Sequence, residues 1–194
     1  MDTVTPRIIL ASSSPRRKAL LQQIHLSFDV IASHADEHFD HTLPPEQTAE
    51  ALALRKAQEV AGSHPDAIVI GADTIVLDGG QILGKPRHED DAFRMLSRLS
   101  NKEHRVITGL ALLSGQENTF VRHESTRVKL AALSPQAIQR YIDSGEPMGK
   151  AGAYAIQGRG AIFIEWIHGC YNNVVGLPLF LLNSMLEELR DSQR

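Results

Sequence analysis

The chain has 194 residues, of which 42% are hydrophobic, so it is long and apolar enough to bury a substantial core. Its formal net charge of −3 does not favour a general nucleic-acid-binding protein, and any anion site must be a local one. No apolar run approaches the ~20 residues of a membrane span, and the first residues do not resemble a signal peptide. The single cysteine, Cys170, excludes an intrachain disulfide. We therefore expect a globular cytoplasmic protein without nucleic-acid or membrane partners.

The amino-terminal residues predict a strand followed by a helix with a basic first turn. Residues 8–11 are apolar, and Ser14-Pro15 is typical of a helix start with a serine cap. Arg16, Arg17 and Lys18 then lie at the helix end where the dipole is already positive. A bound phosphate would compensate this charge, because free backbone N–H groups point to the same place. A solvated basic patch explains the sequence equally well.

A polar loop and a long helix follow. The loop carries Asp36, Glu37 and three histidines, namely His34, His38 and His41. The histidine spacing matches no common zinc pattern, so we interpret them as solvated, and the two carboxylates suit Mg²⁺ better. The helix, at about residues 46–62, places Lys56 inside its apolar stripe. Lys56 either extends to the surface or reaches toward an anion at the sheet edge.

The stretch from residue 66 to residue 76 combines a buried strand with a carboxylate. Residues 67–70 are apolar and rich in β-branched side chains, which predicts a strand buried on both faces. Asp73 comes where this run stops, after Gly71 and Ala72, which are small enough to let a substrate approach. Open α/β sheets bind ligands at the carboxyl ends of their strands, so Asp73 is a candidate catalytic residue. An aspartate that caps a loop is the alternative.

The rest of the chain shows no repeat or linker, and we expect one domain over residues 1–194. A hairpin turns at Asp78-Gly79-Gly80, and Lys85 follows it between Gly84 and Pro86 as a second candidate phosphate contact. The glycine-rich segment 146–173 matches neither a P-loop nor a dinucleotide-binding fingerprint. Further strands are predicted at residues 28–32, 106–113, 119–130 and 161–167, and further helices at 89–99, 134–145 and 177–189.

Scattered cations and two carboxylates indicate a metal-assisted site for a polyphosphate. The carboxylates are Glu37 and Asp73, and the cations are Arg16, Arg17, Lys56, Lys85 and Lys150. In such a site the protein positions the substrate and stabilises charge, while a carboxylate activates water or holds the ion. The serines at 12–14 do not form a nucleophile elbow, and the sequence supports no Ser-His-Asp triad.

Five motifs resemble the Maf family of nucleotide pyrophosphatases. They are Leu10-Ala11-Ser12-Ser13-Ser14-Pro15-Arg16-Arg17, Gly71-Ala72-Asp73-Thr74, Gly84-Lys85-Pro86, Lys150-Ala151-Gly152-Ala153-Tyr154-Ala155-Ile156-Gln157-Gly158 and Asn173-Val174-Val175-Gly176-Leu177-Pro178. The resemblance covers almost the whole chain in order. It implies an α/β fold with a mixed twisted sheet in two lobes around a deep cleft, similar to inosine-triphosphate pyrophosphatases. It also implies hydrolysis of a nucleoside triphosphate to monophosphate and pyrophosphate, with Mg²⁺ or Mn²⁺ as cofactor and Asp73 as proton acceptor.

Three positions separate the branches of this family. The branch that acts on dTTP and UTP carries arginine, threonine and glutamine where this chain has Arg16, Thr74 and Gln157. The branch that acts on 7-methyl-GTP carries tryptophan, glutamine and glutamate. An amide such as that of Gln157 can both donate to and accept from the edge of uracil or thymine. The resemblance therefore implies a pyrophosphatase for dTTP and UTP, with modified pyrimidine nucleotides as further substrates.

The same resemblance assigns further roles. Ser14, Arg17, Lys56 and Lys85 would bind phosphates, and Glu37 would bind the metal together with Asp73. A homodimer is implied by the family alone. The alternative function is a nucleotide-binding regulator of cell division with little turnover, because the family is associated with arrested septum formation. Release of orthophosphate would instead indicate an ordinary phosphatase.

Overall fold

The computed structural model describes residues 6–38, 42–115 and 118–192. Its strands are β1 (Ile8–Leu10), β2 (Asp29–Val30), β3 (Ile68–Asp78), β4 (Gln81–Leu83), β5 (Glu103–Ser114), β6 (Asn118–Leu130) and β7 (Ile164–His168). Its α-helices are α1 (Pro15–Gln23), α2 (Pro45–Ala61), α3 (Glu89–Leu99), α4 (Pro135–Ile142), α5 (Tyr171–Val175) and α6 (Leu179–Ser192). Within these described ranges, none of the helices combines the length and apolar character needed to cross a membrane.

The described strands form a mixed sheet. Their hydrogen-bonded order is β2-β1-β3-β5-β6-β7, and β4 pairs with β3. β1 runs parallel to both of its neighbours, with Ile9 opposite Asp29 on β2 and opposite Val69 on β3. The pairs β3–β4 and β6–β7 are antiparallel. The mixed α/β fold that the sequence predicts is therefore confirmed.

The chain divides into two compact units, and neither is a continuous segment. The first contains the chain up to Asp73, Thr108–Glu124 and the chain from Gly176 onward. The second contains Thr74–Ile107 and Ser125–Val175. β3, β5 and β6 therefore contribute residues to both units. The prediction of a single domain stays a prediction.

In the first unit, α2 packs closely on β3 and β5. A Cβ built on Gly71 of β3 would lie 2.3 Å from the carbonyl oxygen of Ala53, and one on Gly109 of β5 would lie 2.1 Å from that of Ala49. No side chain fits at such distances, so both glycines are needed for the helix backbone to approach. From the sequence we interpret the small size of Gly71 as space for a substrate, but in the structure α2 occupies this space.

The second unit has its own core, in which α3 and α4 pack together with residues of β3, β5 and β6. Its fully or nearly fully buried apolar side chains include Val76, Leu96, Leu99, Val106, Val128, Leu130 and Ile138. The predicted hairpin of β3 and β4 is present, with Asp78 opposite Gln81. Gly79 and Gly80 have φ angles of 54° and 86°, which favour glycine.

The structure corrects the position of Asp73. From the sequence we expect this residue after the end of a strand. However, β3 is 11 residues long and ends at Asp78, so Asp73 lies inside it. The burial pattern explains the length, because Ile75 and Val76 beyond Asp73 are also buried. Asp73 is tolerated there because it has a cationic partner, described below.

Three smaller differences concern element ends. β7 begins at Ile164, later than predicted, because Arg159–Phe163 forms a short 3-10 helix. The sequence gives no signal for α5, which has only five residues. α4 ends at Ile142, earlier than the predicted end at residue 145.

Candidate active site

Two carboxylates and a lysine meet in the first unit. The Nζ atom of Lys56 lies 2.7 Å from Oε1 of Glu37 and 2.5 Å from Oδ1 of Asp73. Lys56 comes from α2, Asp73 from β3 and Glu37 from the loop before α2. Lys56 and Asp73 are buried, at 8% exposure each, so the lysine does not extend to the surface. Buried charges need partners of this kind, and each of the two acids shares the same ammonium.

The loop that carries Glu37 is attached to α2 on both sides of that residue. Arg55 Nη1 donates to the carbonyl oxygens of Asp36 at 3.1 Å and His38 at 3.3 Å. Glu59 accepts hydrogen bonds from the Ser33 hydroxyl and from the His34 N–H. Sequence reasoning missed Arg55 and Glu59, although their i,i+4 spacing places them on one face of the helix. The loop is thus held where Glu37 meets Lys56.

The start of α1 confirms the predicted serine cap. Ser14 Oγ accepts from the N–H of Arg17 at 3.4 Å, and Pro15 opens the helix. The Arg17 side chain turns back along the loop, because its Nη1 donates to Ser12 Oγ at 3.2 Å and its Nε to the Gly176 carbonyl at 2.8 Å. Sequence reasoning missed both of these contacts. The predicted phosphate contact of Ser14 stays a prediction.

Arg17 belongs electrostatically to the acidic pair. Desolvation by burial lowers the pKa of Arg17 below its ordinary value, and Asp73 raises that pKa again in part. Arg16 lowers the same pKa and Glu37 raises it, both by smaller amounts. A guanidinium stays protonated under these influences. The first unit therefore brings together five of the predicted residues in one charged cluster, which we call the acid–base cluster: Arg16, Arg17, Glu37, Lys56 and Asp73.

Three other predicted residues, Thr74, Lys85 and Gln157, belong to the second unit. Thr74 directly follows Asp73 in β3 and is half-buried, whereas Lys85 is exposed after β4. Gln157 is exposed and lies just before the 3-10 helix Arg159–Phe163. Their roles in phosphate and base recognition stay predictions.

Glu37 and Asp73 are the carboxylates that could hold a metal ion. Both bind one cation, the Lys56 ammonium, so their oxygens can share a single positive charge. No group of three or more His, Cys, Asp or Glu side chains in the described part of the chain could hold an ion. Mg²⁺ usually takes one or two carboxylates and completes its shell with water and substrate phosphates, so the pair fits an ion that binds with a nucleotide. His34 and His38 are exposed, as expected, and His41 lies outside the described residues.

A family model described as Maf-like protein matches residues 7–189. The chain belongs to this family. The dTTP/UTP pyrophosphatase of Ruminiclostridium cellulolyticum is 50% identical over 95% of this chain and 96% of the relative. The dTTP/UTP pyrophosphatase of Symbiobacterium thermophilum is 52% identical over 94% of this chain and 93% of the relative. Among solved structures, the Staphylococcus aureus Ham1 protein is 16% identical, and the match covers 64% of this chain and 72% of that one with a TM-score of 0.45.

Proposed function

We propose that the chain is a nucleoside triphosphate pyrophosphatase that converts dTTP and UTP to the monophosphate and pyrophosphate. Members of the Maf family that are 50% and 52% identical over more than nine-tenths of their length are named dTTP/UTP pyrophosphatases. The structural observation that carries the proposal is the acid–base cluster, in which Lys56 joins Glu37 to Asp73 beside Arg17. Such a cluster combines cations for phosphates with carboxylates for a metal ion and for water.

The cations bind the triphosphate. An ammonium has three N–H donors, and Lys56 uses two of them on Glu37 and Asp73, so one remains for a phosphate oxygen. Arg16 and Arg17 lie in the first turn of α1, where the helix dipole also favours an anion. Lys85 is a further proposed phosphate contact.

Glu37 and Asp73 would hold the divalent cation, Mg²⁺ or Mn²⁺. When bound, such an ion neutralises charge on the phosphates and favours attack at phosphorus. Asp73 is also the proposed carboxylate that orients a water molecule and accepts its proton. The water oxygen forms a bond to the α-phosphorus, the bond between that phosphorus and the bridging oxygen breaks, and pyrophosphate leaves.

Arg16, Thr74 and Gln157 are the proposed base-recognition residues. The support is the branch pattern, in which these three residue types occur together in the dTTP/UTP branch. The amide of Gln157 supplies a donor and an acceptor, which match the alternating acceptor and donor groups of uracil and thymine. The proposal extends to modified pyrimidine nucleotides with the same edge.

A product-resolved assay tests the function. We expect UMP and pyrophosphate from UTP, and dTMP and pyrophosphate from dTTP, in the presence of Mg²⁺ or Mn²⁺. Orthophosphate as the first product would contradict the proposal. Tight binding of UTP without any product would favour the division regulator, which the names of the relatives do not favour.

The Asp73→Asn variant tests the central carboxylate, and the chain offers a matched control. Asp78 lies on the same strand, is equally buried at 8%, and is paired with Arg98. We expect Asp73→Asn to lower kcat by at least about 100-fold, the lower end for a lost proton acceptor, whereas Asp78→Asn should affect mainly stability. Equal decreases in kcat in the two variants would contradict the role of Asp73 as proton acceptor.

Binding of Mn²⁺, measured by calorimetry with a non-hydrolysable UTP analogue, separates the two roles of Asp73. If Asp73 is a metal ligand, Mn²⁺ binding should be weaker in Asp73→Asn, and if it is a proton acceptor alone, Mn²⁺ binding should be unchanged.

We also expect a homodimer, which light scattering would test.

A further inference from the structure

The segment that contains Gln157 is fixed by hydrogen bonds on both sides of that residue. On the amino-terminal side, the Ala155 N–H donates to the Tyr141 hydroxyl at 3.2 Å. On the carboxyl-terminal side, the N–H groups of Arg159 and Gly160 donate to the Glu146 carboxylate at 2.9 and 3.0 Å. The Gln157 side chain itself is exposed.

Tyr141 and Glu146 act as one group, which we call the Tyr–Glu clamp. The Tyr141 hydroxyl donates to Glu146 Oε1 at 2.9 Å, so the two residues that hold the opposite flanks are themselves connected. Tyr141 is 3% exposed, and its ring packs edge-on against Phe163 at 5.0 Å between centroids. The clamp is therefore anchored in the core of the second unit.

The glycines of this segment fit tightly around the clamp. A Cβ on Gly158 would lie 2.7 Å from the Glu146 carboxylate, and Gly158 has a φ of 84°, which favours glycine. A Cβ on Gly160 would lie 2.7 Å from the Tyr141 hydroxyl. A side chain at either position would therefore displace Glu146 or Tyr141. Small displacements of Glu146 would move the backbone next to Gln157.

We propose that Tyr141 and Glu146 are positioning residues that set the pyrimidine preference by fixing the backbone on both sides of Gln157. The inference rests on the proposed function, since it gives Gln157 the base edge to recognise. A hydrogen-bonding side chain discriminates between bases only when its donor and acceptor are held in place. Because Gln157 is exposed, its flanking backbone must supply this order.

Two variants test the clamp. In Glu146→Gln, one carboxylate oxygen becomes an NH₂ group that faces a backbone N–H and cannot accept from it. In Tyr141→Phe, the hydroxyl is lost while the ring remains to pack on Phe163. Asp143→Asn is the matched control, because Asp143 is an exposed carboxylate at the end of α4 that accepts from Gln139. It removes one negative charge from the same neighbourhood.

The first readout is hydrogen–deuterium exchange of peptides that cover residues 155–160. We expect faster exchange in Glu146→Gln and in Tyr141→Phe, and no change in Asp143→Asn. The second readout is the ratio of the dissociation constants for α,β-methylene-GTP and α,β-methylene-UTP, which requires no turnover. We expect the preference for the UTP analogue to fall on the order of tenfold in Glu146→Gln, as for one lost charge-assisted hydrogen bond. Tyr141→Phe should reduce the preference less.

Each outcome decides the proposal. Unchanged exchange at residues 155–160 would overturn it, as would faster exchange with an unchanged preference, since the clamp would then be only structural. A wild-type protein without any pyrimidine preference would overturn it as well. A wild-type protein that prefers the UTP analogue but releases no pyrophosphate from UTP would refute the pyrophosphatase and leave the clamp supported by the variants.

Discussion

At the scale of single residues, the acid–base cluster depends on one buried ammonium. Lys56 is the cation in direct contact with two carboxylates that would otherwise repel each other, and one of them, Asp73, is buried. Removing one partner of a buried ion pair lowers the free energy of unfolding by more than the intact pair contributes to it, because the other charge is left buried and unpaired. A divalent ion could restore part of this balance, which makes the cluster testable without substrate.

We expect Lys56→Met to lower the free energy of unfolding by about 3 kcal/mol, because Asp73 loses its counter-ion. We also expect Mn²⁺ to raise the melting temperature of this variant more than that of the wild type, since the two carboxylates are then available to the ion. Lys102→Met, at an exposed position, is the control. Equal effects of Mn²⁺ on all three proteins would show that Glu37 and Asp73 do not form a cation site.

Glu146 predicts a pH dependence of the Tyr–Glu clamp. Partial burial raises its pKa, but hydrogen bonds from Arg159, Gly160 and Tyr141, with the Lys150 charge, outweigh this and lower the pKa from 4.5 overall. A carboxyl with a depressed folded pKa contributes stability above its unfolded pKa and loses it as pH falls through the folded value. The protection of residues 155–160, that is, the ratio of the intrinsic exchange rate to their observed rate at each pH, should therefore fall in wild type below about pH 4.5 and not further in Glu146→Gln. If wild type and Glu146→Gln showed the same pH dependence of protection at residues 155–160, Glu146 would not be the titrating group.

At the scale of elements, α2 is the part on which the cluster depends. It supplies Lys56, and its Arg55 and Glu59 hold the loop that carries Glu37. Its distance from the sheet is set by Gly71 and Gly109, whose missing side chains admit the helix backbone. The position of the buried ammonium is therefore a consequence of two glycines on neighbouring strands.

We expect Gly71→Ala and Gly109→Ala to destabilise the protein by about 1–3 kcal/mol each, as typical overpacking does. Activity should fall too, because a shifted α2 moves Lys56. Gly62→Ala is the control, since Gly62 lies at the end of α2 with a φ of −56° and its added Cβ would have no neighbour nearer than 3.5 Å. Chemical denaturation measures stability, and UTP turnover measures activity. A Gly71→Ala protein as stable and active as Gly62→Ala would refute the close approach.

Local signals in the sequence predict most elements but not the contacts between distant segments. The Ser14 cap, the hairpin at Gly79-Gly80 and the apolar stripe of α2 are short-range features, and the structure confirms them. Asp73 is placed wrongly because aspartate is rare in strands, and its ion pair with Lys56, a contact between distant segments, stabilises it there.

The same limit applies to the site. The contact between Arg17 and the Gly176 carbonyl joins residues 159 positions apart, and no local pattern indicates it. Asn173, quoted above as part of a family motif, is fully buried and donates to the Val106 carbonyl and the Thr126 hydroxyl, so its role is structural. Its amide alone does not distinguish such a role from ligand binding. The types of residue in the site were predictable, and their partners were not.

At the scale of the whole molecule, one buried histidine links stability to pH. His104 is 3% exposed, and its Nε2 lies 2.7 Å from the Tyr154 hydroxyl. Its Nδ1 has no hydrogen-bond partner among the described residues. Desolvation lowers the pKa of His104 from 6.5 to about 4, although Asp78 raises it slightly in turn. Burial also raises the pKa of Tyr154, so both groups stay neutral near pH 7.

We expect the free energy of unfolding to decrease as pH falls from 6.5 toward about 4. In this range the unfolded chain binds a proton on His104 that the folded chain does not, so acid favours unfolding. A shift of this size corresponds to about 3 kcal/mol at most. Urea denaturation at several pH values should show a weaker dependence in His104→Gln, whereas His64→Gln should behave as the wild type does. If the free energy of unfolding of His104→Gln and of wild type changed equally with pH, His104 would be excluded as the cause of the pH dependence.

The interleaving of the two units has a consequence for how the protein can be divided. Because each unit is assembled from separate stretches of chain, no single cut yields either unit intact, and a fragment that ends at Asp73 lacks Thr108–Glu124 and everything from Gly176 onward. Exchange of one unit between relatives by a single recombination crossover would therefore join incomplete halves. Chimeras of this family should retain function only when all four joints, at 73/74, 107/108, 124/125 and 175/176, are placed so that every stretch of a unit comes from the same parent.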